Sequence, residues 1–285
     1  MGAADVVPGV SGGTMALITG IYDRLVAAIA AITPARLSSL WQGRWRAFWR
    51  QIDGTFLLVL LAGIGSAFVF LAGGIRWLLN HQPLLTWSFF FGLILASAVL
   101  IVQRADIRDW RQYWWLLPGF LLGWWISDLT QGQVDASWLM VFFSGMLAIM
   151  AMILPGISGS FILLLLGMYG VLLAAVDERQ WLVLATFVAG ALIGLLGFSH
   201  FLKWLLSRYH GQTLLFLCGL MLGSLRKIWP WHDISHLGGI SAKVWPWQLP
   251  ASEAMFSVLV VAAAMLLVFV THWLGQKLSA ASVRR

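Results

Sequence analysis

The sequence predicts an all-α polytopic membrane protein built from two inverted-topology repeats. Each repeat would be a re-entrant helical hairpin followed by three transmembrane helices. Three observations predict this. Of the 285 residues, 60% are hydrophobic and only 10% charged, against about 25% charged in a soluble domain. A water-soluble globule has too much surface for its volume to hide that apolar content. Apolar runs approaching the ~20 residues of a spanning helix recur along the chain. A Pro-Gly-x-Ser-Gly motif occurs twice, at Pro8 and at Pro155. The same composition excludes disorder, collagen, coiled coil and a disulfide scaffold. Cys218, the single cysteine, cannot form an intrachain bridge. The net charge of +7 fits basic cytoplasmic loops facing anionic lipid, and no nucleic-acid partner is expected.

Each element follows in chain order. Met1 leads into Gly-Ala-Ala-Asp without a basic n-region, and Val6 stands where myristoylation needs Ser or Thr, so neither a secretory signal nor a lipid anchor is expected. Pro8 and Gly9 break the chain before the apolar run Thr14 to Ile32, interrupted only by Asp23 and Arg24. Proline removes a backbone donor and glycine loosens the helix, and at membrane depth such breaks survive beside protein or a wet cavity. An Arg- and Trp-rich connector, Pro34 to Gln51, carries Trp41, Trp45 and Trp49 beside Arg44, Arg46 and Arg50, the pattern of an interfacial amphipathic helix. Spans at Phe56 to Leu79, Trp87 to Val102 and Trp114 to Ser127 complete the first half. The second half runs Trp138 to Leu154, the break at Pro155 and Gly156, Phe161 to Val176, Trp181 to Leu206, Thr213 to Leu225 and Phe256 to Leu274.

Self-similarity fixes the two halves. Pro8-Gly9-Val10-Ser11-Gly12-Gly13 returns as Pro155-Gly156-Ile157-Ser158-Gly159-Ser160, an offset of 147, and Gly20/Gly167, Tyr22/Tyr169 and Leu25/Leu172 keep it. Ala62-Gly63 with Ala189-Gly190, Trp77-Leu78-Leu79 with Trp204-Leu205-Leu206, and Gly92 to Ser97 with Gly219 to Ser224 keep an offset of 127. The connector accounts for the difference. The repeats are placed at 1–130 and 131–285, together one membrane domain. Three spans between the hairpins invert the second half. Segments 33–53, 103–112, 199–212 and 275–285 then share a side with twelve Lys or Arg, against five opposite, which puts that side and the C-terminus in the cytoplasm. Met1 aligns with Ala148, so the first repeat lacks a counterpart to the half-helix Trp138 to Leu147, and a preceding half-helix is expected.

Many of the 18 tryptophans lie at segment ends, including Trp87, Trp110, Trp114, Trp229, Trp231, Trp245 and Trp247, and are read as an aromatic belt.

Gly9-Val10-Ser11-Gly12-Gly13 spells G-x-S-x-G, but no strand precedes it, and a hydrolase elbow needs one. No P-loop or zinc spacing occurs, and His232 and His236 lie in a Trp- and Pro-rich loop; no metal or cofactor is expected. The motifs instead place Ser11, Gly12, Gly13 and Thr14, and Ser158, Gly159 and Ser160, at half-helix starts. Unsatisfied N–H groups there favour an anion, and inverted-repeat transporters bring such ends together near the midplane. Close helix packing by Gly and Ser is the alternative; its occurrence at matched places in both halves favours the anion site. Ionisable residues within a membrane segment usually face a cavity or a partner. Arg24 is a candidate counter-charge, with snorkelling to the interface as the alternative. Asp5 is a candidate proton-coupling carboxylate. Tyr22 and Tyr169, matched in the repeat, either line the site or pack in the core. Asp128 and Asp135 are read as solvated loop residues.

The run Gly2-Ala3-Ala4-Asp5-Val6-Val7-Pro8-Gly9-Val10-Ser11-Gly12-Gly13-Thr14 with Gly20-Ile21-Tyr22, the Leu154-to-Ser160 copy and the Gly-Leu-x-Leu-Gly-Ser run ending at Ser224 resemble the polyprenyl-phosphate transporter family over essentially the whole chain. The resemblance implies translocation of undecaprenyl phosphate from the outer to the cytoplasmic leaflet of the bacterial inner membrane, recycling the carrier for cell-wall and surface glycans. The phosphate would sit at the two motifs while the tail stays in lipid, with a proton or sodium ion as possible coupling ion. A transporter of a small soluble anion and a membrane-embedded lipid phosphatase remain alternatives. The residues do not decide oligomeric state.

Overall fold

A computed structural model of the chain describes residues 1–5, 11–105, 109–129, 137–233 and 242–283. Among these the order is α1 (Gly2–Asp5), α2 (Gly12–Ile18), α3 (Tyr22–Ala30), α4 (Pro34–Trp41), α5 (Trp45–Gln51), α6 (Gly54–His81) and α7 (Pro83–Arg104), then a 3-10 turn at Trp110–Trp115. There follow α8 (Leu116–Asp128), α9 (Trp138–Ile153), α10 (Gly159–Leu165), α11 (Met168–Asp177), α12 (Trp181–Arg208) and α13 (His210–Ser224). A two-residue antiparallel ladder pairs His232–Asp233 with Ala242–Lys243, and a 3-10 turn at Pro246–Gln248 leads into α14 (Ala251–Val283).

The protein is an all-α, multi-pass membrane protein. Among the described residues four helices are long and apolar enough to cross a membrane: α6, most of α7, α12 and the first 24 residues of α14. The count reaches six if the bent pairs α2–α3 (118°) and α10–α11 (106°) are each one span. Helices α8 and α13, at 13 and 15 residues, fall short of the ~20 that a span requires.

The sequence placed breaks only at the two Pro-Gly motifs. The structure adds one inside each following apolar run. Gly20 (φ 75°) and Gly167 (φ 68°) take the left-handed conformation that a Cβ disfavours and end α2 and α10 after seven residues. The matched segments fold alike. Residues 12–18 and 159–165 are helical at the offset of 147, and α6 and α12 are both 28 residues long at the offset of 127. Their C-caps coincide too: Gln82 has φ −136°, ψ 55° and Tyr209 φ −135°, ψ 51°.

The core centres on α13, where Leu215, Leu217, Cys218, Leu220 and Met221 are buried. Two extensive crossings run between the halves, α13 along α8 and α7 along α14, while α12 lies along α9 within the second half. Glycine makes the first possible from both sides. A Cβ on Gly119 or Gly123 would collide with the carbonyls of Phe216 or Leu220, and one on Gly219 or Gly223 with those of Leu116 or Phe120. With no hydrophobic drive between helices in lipid, such backbone approach supplies the van der Waals contact that holds them. Gly92 serves α7 against Val261 in the same way.

Two aromatic expectations change. The connector is not one amphipathic helix: Gly43 (φ 70°) separates α4 from α5, so Trp41 closes one helix while Trp45 and Trp49 ride the other. Trp49 covers Gly54 and its Nε1–H donates to Thr55 Oγ1 at 3.0 Å. Trp229 and Trp231 do not belong to a lipid-facing belt. Both pack edge-on against Phe91, and their N–H groups find internal acceptors, Val244 O at 2.9 Å and Ser257 Oγ at 2.8 Å.

Candidate substrate site where the two motifs meet

Residues 141 to 143 positions apart come together at the start of α2 and the end of α9. Ser11 (φ −108°, ψ 137°) caps α2, its Oγ accepting the Gly13 N–H at 3.1 Å. The same hydroxyl points to Met152 O and Leu154 O, each at 3.2 Å. Pro155 stops α9, and its last carbonyls need donor partners from elsewhere; the Ser11 hydroxyl provides one. Thr14 Oγ1 accepts the Gly156 N–H at 2.8 Å. Ser11 and Thr14 are 1% and 0% exposed, so both bonds are shielded from water. A Cβ on Gly13 would stand 2.5 Å from Ile153 O, so only glycine permits this approach. Gly156 (φ 87°) is constrained twice, by its backbone and by Ser224 Oγ, 2.6 Å from where its Cβ would lie.

The two halves differ in charge at matched places. Asp5 Oδ1 accepts the Gly12 N–H at 2.7 Å, and both carboxylate oxygens lie 2.6–2.8 Å from the position of a Gly12 Cβ. The position 147 residues after Asp5 is Met152, whose Cγ lies 2.7 Å from the Cβ position of Gly159. A carboxylate thus covers one motif and a thioether the other. In the second copy the hydroxyls of Ser158 and Ser160 bond each other at 2.8 Å. Since α2 and α10 have only seven residues each, a summed macrodipole contributes little there. An anion would be drawn there by individual unpaired N–H groups, and Gly12 already donates its own to Asp5.

Other candidates lie apart. Arg24 forks onto Asp53 through Nε (2.5 Å) and Nη2 (3.0 Å), with its guanidinium 4.4 Å over the Phe56 ring. That cation holds the Asp53 carboxyl below the usual carboxylate range. Asp23 lies 3.5 Å from His210 Nε2. Tyr22 and Tyr169 match in sequence but not in setting: Tyr22 is buried in the core with its hydroxyl unpaired among the described residues, and Tyr169 is 39% exposed. Asp128 is no free loop residue, since it pairs with Arg226 at 2.5 Å. Pro8, Gly9, Asp135 and His236 lie outside the described residues. Among the described residues no cluster of three or more His, Cys, Asp or Glu converges to hold a metal. The sequence reading missed Met152 and Ser224 as partners of the motifs; Ser224 was visible as the end of a repeated run, whereas Met152 acts through a backbone carbonyl and leaves no signal.

Residues 1–244 match the family model described as "VCA0040-like: Undecaprenyl phosphate translocase-like". The chain belongs to this family. A Vibrio cholerae protein named "Polyprenyl-phosphate transporter" is 50% identical over 234 residues, 82% of this chain and 76% of that one. A Staphylococcus aureus protein of the same name is 30% identical over 248 residues, 81% and 83% of the two chains. No solved structure matches. Both the long motif around Ser11 and its copy around Ser158 fall within the part of the chain that the translocase-like family model covers.

Proposed function

We propose that this protein moves undecaprenyl phosphate across the bacterial inner membrane, returning the carrier from the outer to the cytoplasmic leaflet for cell-wall and surface glycan synthesis. Membership of the translocase-like family and the names of the two relatives support this. The observation that carries the mechanism is the Asp5 carboxylate seated on the Gly12 N–H at 2.7 Å, inside the contact between the two motifs. An intramolecular anion occupies the donor that a phosphate oxygen would use. In the conformation described the motifs are closed on each other, and substrate entry exchanges Asp5 for phosphate. Ser11, Gly12, Gly13 and Thr14 from one half and Ser158, Gly159 and Ser160 from the other then offer backbone and hydroxyl donors to the headgroup, while the polyprenyl tail stays in lipid.

Protonation of Asp5 removes the competing charge, which makes a proton the natural coupling ion in this scheme. The two hairpins enter from opposite faces, with the repeats inverted and the C-terminus cytoplasmic, in keeping with the twelve-to-five bias of Lys and Arg. Transport and not hydrolysis is the reading that the relatives' names support. Arg24, held by Asp53, has no part in the closed state and becomes available only if that fork opens.

The test is leaflet exchange of undecaprenyl phosphate by the full chain in proteoliposomes. Ser11→Leu and Gly12→Leu should each abolish exchange while leaving membrane insertion intact. Normal exchange by both variants would refute the site. Release of inorganic phosphate would mark an enzyme instead, and exchange of a soluble anion unaffected by lipid phosphate would mark a different transporter.

A further inference from the structure

A second feature lies at the C-terminal end of α13, two residues beyond Ser224. A cavity of about 340 Å³ opens there, walled by Phe91, Phe120, Trp124, Trp229 and Trp245, with Arg226 as its one charged lining group among the described residues. That volume is in the range of ligand pockets, which pair apolar walls with a few placed polar groups. Arg226 is held rigidly: Nε donates to Asp128 Oδ1 at 2.5 Å, and the guanidinium lies 4.2 Å over the Trp124 ring. Its Nη donors find no acceptor among the described residues, and the side chain is 31% exposed. A stacked, partly desolvated guanidinium with free Nη donors is suited to a phosphate, which it meets with two parallel bonds.

The cavity also connects to the motifs. Ser224 Oγ and Met221 Cα lie 2.6 and 2.8 Å from the Cβ position of Gly156. Lys227, next to Arg226, places its ammonium 4.2 Å over the ring of Phe161, which directly follows Ser160. One short segment, 224–227, therefore touches the second motif on one side and lines the aromatic cavity on the other.

We infer that this cavity is a loading site for an isoprenoid phosphate, with the first isoprene units against the tryptophans and the phosphate on Arg226. The inference rests on the proposed transport of a polyprenyl phosphate, and adds where the lipid is held before its headgroup reaches Ser158 and Ser160. An unsaturated tail segment fits aromatic walls, the single cation fits the single anionic group, and the volume admits only the units nearest the phosphate.

The experiment measures binding of farnesyl phosphate to the full chain in lipid nanodiscs, with farnesol and inorganic phosphate as controls. Wild type should bind farnesyl phosphate well above either control, since both parts of the site contribute. Arg226→Gln should weaken it about tenfold or more, the loss expected for a charge-assisted fork. Arg226→Lys, which keeps the charge, should lose less. A rim variant that leaves the Arg226 pair intact, Trp245→Leu, should weaken farnesyl phosphate without changing inorganic phosphate, and so guards against a folding defect in Arg226→Gln. Unchanged farnesyl phosphate binding in Arg226→Gln and Trp245→Leu, with the Ser11 variant impaired, would overturn the loading site and leave the transport reading standing. Failure of wild type to distinguish farnesyl phosphate from farnesol would overturn both.

Discussion

Replacing Asp5 tests whether the carboxylate is a stand-in for the phosphate or merely a helix cap. Its Oδ1 holds the Gly12 N–H at 2.7 Å, and both oxygens crowd the space beside Gly12. A phosphate oxygen reaching that N–H must displace it. A hydrogen bond to a charged group contributes about 1.5–3 kcal/mol, and about 1.4 kcal/mol is a factor of ten. Asp5→Ala, which removes the competitor, should therefore tighten undecaprenyl phosphate binding by about 10- to 100-fold. Asp5→Asn keeps a neutral acceptor worth about 0.5–1.5 kcal/mol, so its gain should be smaller. A second signature is pH. As Asp5 takes up a proton its hold on Gly12 weakens, so wild-type affinity should rise as the pH falls. The phosphate's own titration near pH 6 affects wild type and variant alike, so the comparison removes it. The assay is titration calorimetry of each variant across a range of pH, with leaflet exchange measured in parallel; tighter binding should slow exchange. Loss of a cap lowers stability by about 0.5–2 kcal/mol, read separately from the melting temperature. If Asp5→Ala binds no tighter and its pH profile parallels wild type, Asp5 is only a cap.

Two further predictions concern packing. Gly123→Ala and Gly219→Ala each drive a Cβ into a carbonyl of the facing helix and should destabilise by about 1–3 kcal/mol, whereas Gly73→Ala, with nothing within 4 Å, should be neutral or gain up to about 1 kcal/mol; unfolding in detergent separates them. Thr14→Val leaves the buried Gly156 N–H unpaired and should lower stability by about 1–3 kcal/mol, with Thr14→Ser restoring it; unaltered hydrogen-exchange protection at Gly156 in the valine variant would contradict the bond.

The membrane class was legible because it depends on composition alone: 60% hydrophobic and 10% charged residues leave no soluble alternative. The paired motifs were legible because a repeated break needs the same residues twice, and α2 and α10 fall where the offset of 147 puts them. The breaks at Gly20 and Gly167 were legible only as matched glycines; a positive φ is a property of the chain in three dimensions, so their role as bends needed the structure. Sequence placed Ser11, Gly12 and Asp5 near one another, since they are seven residues apart or fewer. It did not place Ser11 on Met152 O and Leu154 O, nor Thr14 on the Gly156 N–H, because a carbonyl or amide is offered by every residue and carries no signature. Charge partners behaved the same way. Arg24 looked like a free cation, and Asp128 like a solvated one-sided charge, until folding set Asp53 and Arg226 beside them. What the sequence determined by itself is what local chemistry and periodicity encode. What only the tertiary structure decided is which backbone groups and which charges meet across 29 to 143 residues of chain, because pairing over such separations follows from how the helices pack.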